Sequence, residues 1–364
     1  MNDQRPSVLD IFSGAGGTAW GFLRAGFRIV AAVEKDPQAA ATYRTNIGVQ
    51  PKVTDITLLD PGGFREEIGL RPGDLDVLIG CPPCQGFTRM RNAEGAGDRR
   101  NPLVLRYLEY VREFMPRFAV FENVPGLART EHGRRFYEAL LDGLDKLGYA
   151  VVRRIVDAAD YGVPQHRRRI VIIAGFDGEK LPFPEPTHAD PRSREVARGV
   201  KRPWTTVRQA IGDYPPLRAG EERGSPPNHR ARAMGERVLD FIRRVPHDGG
   251  SRTDVPERFW LPCHKRHSGH KDVYGRLAWD RPSNVITSGC TNVSKGRFVH
   301  PVQDRGLSVR EAAALQGFPD EFVFRGGLDS MSWQIGNAVP PPLAEAVARV
   351  LMERLNGART HIPE

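Results

Sequence analysis

Two cysteines separated by two prolines, in the stretch GCPPCQGF at residues 80–87, are the first candidates for chemistry. Closely spaced cysteines serve as zinc ligands, as a redox pair or as the seat of one reactive thiol. A zinc knuckle needs a second pair at similar spacing, but Cys263 and Cys290 are 27 residues apart. A redox pair needs a helix that starts at the first cysteine, and the two prolines oppose a regular one. The pattern therefore favours one nucleophile, Cys84. Cys81 ends an apolar run and is expected to be largely buried.

A carboxylate is the next candidate, because Glu122 follows an apolar run in FENVPG at residues 121–126. At the carboxyl edge of a sheet such a side chain is partly desolvated, which raises its pKa toward the range of a proton donor. The alternative is an ion pair with a nearby arginine, which is the commoner state for a lone glutamate in this position. The sequence leaves both interpretations open.

A glycine-rich turn, DIFSGAGG at residues 10–17, joins an apolar run to a helical pattern. Glycines at this junction let the backbone approach a ligand closely. Glu34 stands 20 residues after Gly14 at the end of the next strand, where it can accept hydrogen bonds from ribose hydroxyls. Asp55 follows the third strand and would reach an adenine amino group. A tight turn with two surface acids is the alternative, and the sequence predicts a nucleoside site.

These residues require a sheet that brings them to one edge. Six apolar runs read as strands: 7–12, 27–34, 75–80, 118–124, 150–158 and 168–176. Four stretches suit helices: 18–25, 37–46, 102–114 and 133–147. The alternation predicts an α/β fold with a mostly parallel sheet that binds ligands at its carboxyl edge. The last two strands are joined by a loop, so we expect an antiparallel pair at one edge of the sheet.

Two helices are also predicted near the C-terminus. Ser308 and Glu311 form an S-x-x-E capping box at the start of VREAAALQ. The stretch GNAVPPPLAEAVARVLMERL begins with a turn and continues as an amphipathic helix, with Pro342 tolerated in its first turn.

The positive charge of the chain is concentrated in one segment. The 364 residues carry a formal net charge of +9, and residues 182–305 hold 23 Lys and Arg against 14 Asp and Glu. The rest of the chain therefore balances to zero. A neutral body with one basic segment is typical of a protein that binds a polyanion, and a solvated arginine-rich surface is the alternative.

The cellular setting is expected to be reducing and cytoplasmic. No run of about 18 apolar residues indicates a membrane span, and the N-terminus lacks a secretory pattern. Four cysteines in a chain of this length do not resemble a disulfide framework. In a bacterium this compartment would be the cytoplasm, and a protein that binds a polyanion there would be expected to associate with the nucleoid.

Taken in order, the motifs resemble those of the cytosine-5 DNA methyltransferases, in the non-permuted order of the bacterial enzymes. DIFSGAGG is similar to their cofactor motif, PPCQGF to their nucleophile motif and ENVPG to their glutamate motif. QHRRR supplies Gln165, Arg167 and Arg169, and SVREAAALQGFP and GNAVP match the last two motifs. The resemblance runs from Val8 to about residue 355, interrupted by the basic segment, and Thr88 stands where the family usually has serine.

The resemblance implies a Rossmann-like S-adenosylmethionine-dependent methyltransferase domain with a second, smaller, irregular target-recognition domain. The implied boundaries are a catalytic domain at 1–181, a recognition region at 182–280 and a return segment at 281–364. It also implies methyl transfer to carbon 5 of a flipped-out cytosine through a Cys84 adduct, with S-adenosylhomocysteine as product. Glu122 would act on ring nitrogen 3, Arg167 would hold the base near its carbonyl oxygen, and Arg169 would support the catalytic loop.

Further site residues follow from the same resemblance. The cofactor residues would be Asp10, Phe12, Gly14, Ala15, Gly16, Gly17, Glu34, Lys35, Asp55, Ile56, Pro83, Leu103, Asn337 and Ala338. The DNA contacts would be Arg89, Arg91, Arg99 and Arg100 in the loop after the nucleophile, and Lys265, Arg266, His267 and Lys271 in the recognition region. No metal is expected, because the spacing of Cys263, His267, His270 and Cys290 fits no common zinc pattern.

Three functions remain open at this stage. Duplex DNA is the expected partner of a monomeric enzyme, and the sequence does not decide whether a cognate restriction endonuclease accompanies it. One branch of the family uses the same motifs on tRNA, although its recognition region is short. A DNA-binding module with a decayed site is opposed by the intact Cys84, Glu122, Gln165, Arg167 and Arg169.

Overall fold

The computed structural model describes residues 3–83, 102–176, 178, 181–262 and 272–359. Two compact units divide the chain. The first holds the residues up to 157, then 168–185, and those from 341 onward. The second holds residues 158–167 and 186–340.

The first unit is built on a seven-stranded sheet. Its strands are β1 (Ser7–Ile11), β2 (Arg28–Glu34), β3 (Lys52–Val53), β4 (Val77–Gly80), β5 (Phe118–Asn123), β6 (Tyr149–Asp157) and β7 (Arg168–Phe176). Their order is β3-β2-β1-β4-β5-β7-β6, and β7 runs in the direction opposite to the other six strands. The α/β class, the six predicted strands and the antiparallel pair near one edge are confirmed.

Helices cover both faces of this sheet, as the βα alternation requires. They are α1 (Gly17–Arg24), α2 (Pro37–Ile47), α3 (Pro61–Glu67), α4 (Leu103–Phe114), α5 (Gly126–Arg129) and α6 (Glu131–Lys146). Local signals set their ends: Asp36 caps α2 by accepting the backbone N–H groups of Gln38 and Ala39, and Gly48 ends that helix with φ of 83°. All four helices predicted in this part of the chain are confirmed.

The C-terminal helix, Pro341–Arg359, returns to the first unit and packs on α1. Gly21 permits this contact, because a Cβ there would lie 2.7 Å from the Pro341 carbonyl oxygen and 2.6 Å from the Glu345 nitrogen. The predicted helix with prolines in its first turn is confirmed.

The second unit has short elements and long irregular connections. Its helices are α7 (Arg194–Ala197), α8 (Val207–Ile211), α9 (Glu236–Arg243), α10 (Val309–Leu315) and α11 (Leu328–Asn337). Its strands are β8 (His188–Ala189), β9 (Arg202–Pro203), β10 (Glu222–Arg223) and β11 (His229–Arg230). Such a chain leaves many backbone carbonyls without ladder partners, and these must be satisfied in another way.

Fully buried arginines satisfy many of these carbonyls. Arg276 donates to the carbonyl oxygens of Ile242, Val245 and His300 at 3.0 to 3.1 Å. Arg310 likewise serves carbonyls in the second unit, and both side chains are inaccessible to solvent. Part of the positive charge of residues 182–305 is therefore structural. The prediction that the whole positive charge of this segment is available to a polyanion is therefore wrong for its buried arginines.

A buried ion pair joins the predicted capping box. Ser308 Oγ accepts the backbone N–H of Glu311, which confirms the box, and Glu311 also receives two hydrogen bonds from Arg305 at 2.7 and 2.6 Å. Burial by itself would raise the pKa of Glu311, but the hydrogen bonds and charge of Arg305 outweigh it and lower the pKa from 4.5 to about 2. The carboxylate therefore stabilises the fold in its ionised form.

Replacing Glu311 with glutamine is expected to lower the free energy of unfolding by about 3–5 kcal/mol, because Arg305 would remain buried without its anion. In the wild-type protein this contribution is fully present above about pH 4.5 and is lost as the pH falls toward 2. Unfolding in urea measures both effects. The control is Glu236→Gln in the exposed pair with Arg243, which should cost less than about 1 kcal/mol. Equal losses in the two variants would contradict the assignment.

The compact units differ from the predicted domain boundaries. Residues 281–340 lie in the second unit, and only those from 341 onward complete the first. Residues 158–167 also belong to the second unit, because Gln165 and Arg167 hydrogen-bond to residues 286–338. That residues 182–280 recognise DNA stays a prediction.

Within the described ranges, no helix has both the length and the apolarity that crossing a bilayer requires.

Candidate active site

The glycine-rich turn after β1 has three residues in the left-handed region. Phe12 has φ of 59°, Gly14 of 54° and Gly16 of 96°. Such a backbone is strained for phenylalanine, and strain of this kind accumulates at functional turns. A Cβ on Gly16 would lie 3.0 Å from side-chain atoms of Tyr43 and Ile47, whereas one on Gly14 would meet nothing within 4 Å. The turn is therefore packed on one side and open beside Gly14.

Glu34, at the end of β2, holds this turn in place. Its carboxylate accepts the backbone N–H of Gly14 and that of Asp36, each at 2.8 Å. The side chain is mostly buried, and burial is the largest cause of the raised pKa of Glu34. The sequence predicts a ribose acceptor here, and the structure adds a second task for the same carboxylate, since it shapes the glycine turn.

Asp10 on β1 is buried, and it accepts a hydrogen bond from the Tyr43 hydroxyl of α2 at 3.1 Å. Burial raises the pKa of Asp10 to about 8, the Tyr43 hydrogen bond opposes this, and the charge of Glu34 adds to it. Asp10 is therefore largely protonated at neutral pH. Its described contact is to the protein, which suits support of the turn better than the direct cofactor contact that the resemblance implies.

Asp55 follows β3 and caps a short 3₁₀ turn, Ile56–Leu58. Its Oδ1 accepts the backbone N–H of Thr57 at 3.0 Å and the hydroxyl of the same residue at 2.8 Å. The backbone hydrogen bond is the first cause of the lowered pKa of Asp55, so this partly exposed side chain is ionised. Since β3, β2 and β1 are neighbours, the sheet brings Asp55, Glu34 and the glycine turn to one edge. This donor and acceptor set fits a nucleoside.

The other predicted cofactor residues are found in different settings. Ile56 and Leu103 are buried, Lys35 is exposed and Pro83 is partly exposed. Asn337 and Ala338 lie in the second unit at the end of α11, where the Ala338 carbonyl oxygen accepts a hydrogen bond from Gln316 at 2.6 Å. The role of these residues toward a cofactor stays a prediction.

Glu122 forms an ion pair with Arg169, with 2.9 Å between Glu122 Oε1 and Arg169 Nε. The two residues lie near the end of β5 and the start of β7, which are adjacent antiparallel strands. Their side chains are 12% and 13% exposed, so the pair is sheltered but reachable from solvent. The ion-pair alternative weighed from the sequence is thus present. It fixes the orientation of the carboxylate and is compatible with a role in proton transfer or hydrogen bonding.

The resemblance gives Arg167 the role of holding the base, and that role stays a prediction. Arg167 is buried in the second unit, where its two terminal nitrogens donate to the carbonyl oxygens of Ile286, Gly336 and Ala338 at 2.9 to 3.1 Å. Gln165 is similarly buried and bonded to its own unit. Arg167 hydrogen-bonds to backbone carbonyls, whereas Arg169 forms the ion pair with Glu122. Arg167 precedes β7 and belongs to the second unit, whereas Arg169 lies within β7 in the first unit, so the two side chains have different surroundings.

Cys81 is a partly buried thiol next to Thr18, with 3.8 Å between Sγ and Oγ1. Burial, and then the charges of Glu122 and Asp10, raise the pKa of Cys81 well above its usual range. This thiol is therefore protonated and poorly reactive. The sequence predicts a largely buried thiol here, and burial is the largest cause of the raised pKa of Cys81. The Asn123 side-chain amide donates a hydrogen bond to the carbonyl oxygen of Pro82, the residue after Cys81, at 3.1 Å. The sequence analysis did not predict this contact, although Asn123 belongs to the ENV motif.

Several predicted residues lie outside the described part of the chain. They are Cys84, Thr88, Arg89, Arg91, Arg99, Arg100, Cys263, Lys265, Arg266, His267, His270 and Lys271. Their roles stay predictions. Cys290 is described, and burial raises the pKa of its thiol to about 12.

Comparisons with known proteins agree with this geometry. The model of the C-5 cytosine-specific DNA methylase family matches residues 7–353. The Type II methyltransferase M1.HphI of Haemophilus parahaemolyticus is 39% identical over 351 residues, covering 95% of this chain and 87% of the relative. The Type II methylase M.HgiDII of Herpetosiphon aurantiacus is 34% identical over 361 residues, covering 96% of each.

Solved structures share the fold. One described as a DNA modification methyltransferase encoded within an E. coli prophage has a TM-score of 0.73 at 24% identity, covering 96% of this chain and 99% of that one. The S. pombe Dnmt2 methyltransferase has a TM-score of 0.63 at 19% identity, covering 97% and 100%.

Proposed function

Because this chain belongs to the C-5 cytosine-specific DNA methylase family and is a DNA cytosine-5-methyltransferase, we propose that it methylates one specific duplex sequence with S-adenosylmethionine as the donor. The observation that carries the proposal is the ion pair of Glu122 with Arg169 beside the strand that leads through Cys81 toward Cys84. It supplies an oriented carboxylate next to Cys81, which stands three residues before the predicted nucleophile in the sequence.

The first unit can hold the methyl donor. The glycine turn offers open space beside Gly14, Glu34 offers acceptors for the ribose hydroxyls, and Asp55 offers one for the adenine amino group. S-adenosylmethionine, when bound, would supply an electrophilic methyl group, and its product would be S-adenosylhomocysteine. The residues hold the nucleoside part, so the protein controls where the methyl group lies.

The chain's own residues prepare the base. The Cys84 thiolate adds to carbon 6 of a flipped-out cytosine, which makes carbon 5 nucleophilic. Negative charge develops on ring nitrogen 3 during this addition, and Glu122 in its protonated form stabilises it by donating its proton or a hydrogen bond. Arg169 orients Glu122, and because Arg167 donates to backbone carbonyls of its own unit, we assign the base-holding role to Arg169. After methylation, loss of the carbon-5 proton and elimination of the thiol restore the aromatic ring.

Replacing Glu34 with alanine is expected to weaken S-adenosylmethionine binding by about 1–3 kcal/mol, because the ribose hydroxyls lose their acceptor and the Gly14 turn loses its brace. Isothermal calorimetry measures the dissociation constant. Glu66→Ala, which removes an exposed carboxylate from α3, is the control and should leave the affinity unchanged. Wild-type affinity in the Glu34 variant would remove this residue from the site.

A comparison of substrates tests the proposed function. Methyl transfer is measured on duplex DNA and on tRNA, and methylated cytosines are mapped in the DNA of an expressing host. One methylated duplex sequence is the expected result. Methylation of tRNA with none on DNA would reject the proposal in favour of the RNA-modifying branch.

Since the relatives are Type II methyltransferases, we place the enzyme in a restriction-modification system, with a cognate endonuclease as functional partner.

A further inference from the structure

Three exposed arginines follow the strand that carries Glu122. Arg129 ends α5, and Arg134 and Arg135 lie near the start of α6. Because β5 ends at Asn123, the connection and the first turns of α6 lie at the carboxyl edge of the sheet, as does Glu122. This cluster, the α6 arginines, is independent of the basic segment at 182–305. The residues outside 182–305 balance to zero in net charge, but their positive and negative charges are not evenly distributed.

Ion pairs within the fold do not explain the α6 arginines. Among the described residues, no carboxylate forms an ion pair with Arg129, Arg134 or Arg135. Cations near a helix N-terminus also oppose the helix dipole, so Arg134, in the first turn of α6 with Glu131, lies at its unfavourable end. A solvated surface would be better served by acidic residues there. Their presence points to an external anion.

Aromatic rings order part of this surface. The guanidinium of Arg135 lies 4.7 Å from the centre of the Phe136 ring, and Arg153 on the edge strand β6 lies 5.7 Å from that of Tyr137. Both arginines are exposed. Burial lowers the pKa of His132, and the positive charge of Arg135 lowers it further. Arginines held in this way lose little conformational entropy when they bind an anion.

We infer that the α6 arginines bind the phosphodiester backbone of the DNA substrate beside the flipped cytosine. This inference rests on the proposed function and adds a phosphate-binding surface on the first unit. Such contacts position the duplex without reading its sequence, so they complement base recognition elsewhere in the chain. A guanidinium fork matches phosphate geometry, and the edge that carries the cluster also carries Glu122.

The test is the salt dependence of binding to a short duplex oligonucleotide, measured for the full chain. Each arginine that neutralises a phosphate contributes about 0.9 to the slope of log affinity against log salt. The triple variant Arg129→Gln, Arg134→Gln, Arg135→Gln should lower that slope by about 1–3 and raise the KM for DNA. S-adenosylmethionine affinity should stay unchanged. The matching lysine triple should keep the wild-type slope, because it keeps the charges.

The matched control removes three exposed cations from the opposite edge. Arg71, Arg112 and Lys146 each shortly precede β4, β5 or β6, and so lie at the amino edge of the sheet. Their glutamine triple loses the same charge and should keep the wild-type slope. If both triples lower the slope equally, or neither does, the inference fails while the proposed function stands. If the wild-type enzyme methylates no duplex DNA, the proposed function fails and takes this inference with it.

Discussion

Replacing Cys84 with alanine is expected to abolish methyl transfer while DNA binding persists. Carbon 5 of cytosine is a poor nucleophile until a thiolate adds to carbon 6, so no other residue can replace the sulfur. Cys81 is the only nearby thiol that the structure describes, and its pKa is raised by burial and by the neighbouring carboxylates. It stays protonated at neutral pH. Cys81→Ala is therefore the matched control, and it should lose at most some stability.

Covalent trapping distinguishes the two cysteines directly. In DNA with 5-fluorocytosine at the target, fluorine cannot leave as the carbon-5 proton does, so the enzyme adduct persists after methylation. The Cys81 variant should form this adduct and the Cys84 variant should not, as seen on a denaturing gel. A trapped complex that survives the loss of Cys84 would refute the mechanism.

Replacing Glu122 with glutamine should lower kcat by about 10²–10⁴-fold, the range that one positioned acid or base contributes. Glutamine keeps the shape of the side chain but cannot deliver a proton to ring nitrogen 3. The neutral glutamine side chain also removes the ion pair with Arg169. Single-turnover methylation measures the chemical step, and DNA affinity should change little. Glu138→Gln, at an exposed site on α6, is the control and should retain full activity.

Arg169→Lys tests whether the pair is needed in its observed form. Lysine keeps the positive charge but not the guanidinium geometry, so Glu122 would lose its fixed orientation. A reduced single-turnover rate with unchanged DNA affinity is expected for a positioning role. Full activity in both Arg169→Lys and Glu122→Gln would show that the chemistry occurs without this pair.

Much of the first unit follows from local patterns. The apolar runs that form β1, β2, β4 and β5 alternate with helical periods, and this alternation is read within a few residues of each element. The turn at residues 10–17 needs glycine wherever φ is positive, apart from Phe12. Parallel strands then carry their carboxyl ends, with Glu34, Asp55 and Glu122, to one edge. For these reasons the sequence alone determined the fold class and the edge of the sheet at which Glu34, Asp55 and Glu122 lie.

Other features required the tertiary structure. Arg167 and Arg169 are two residues apart and equally polar, yet one is buried among backbone carbonyls and the other pairs with Glu122. Arg276 and Arg305 count as surface charge in the composition, but each is buried with partners in its own unit. These outcomes depend on which distant carbonyl or carboxylate lies beside each guanidinium. That neighbour is set by how the chain folds back on itself, and no periodicity along the sequence encodes it.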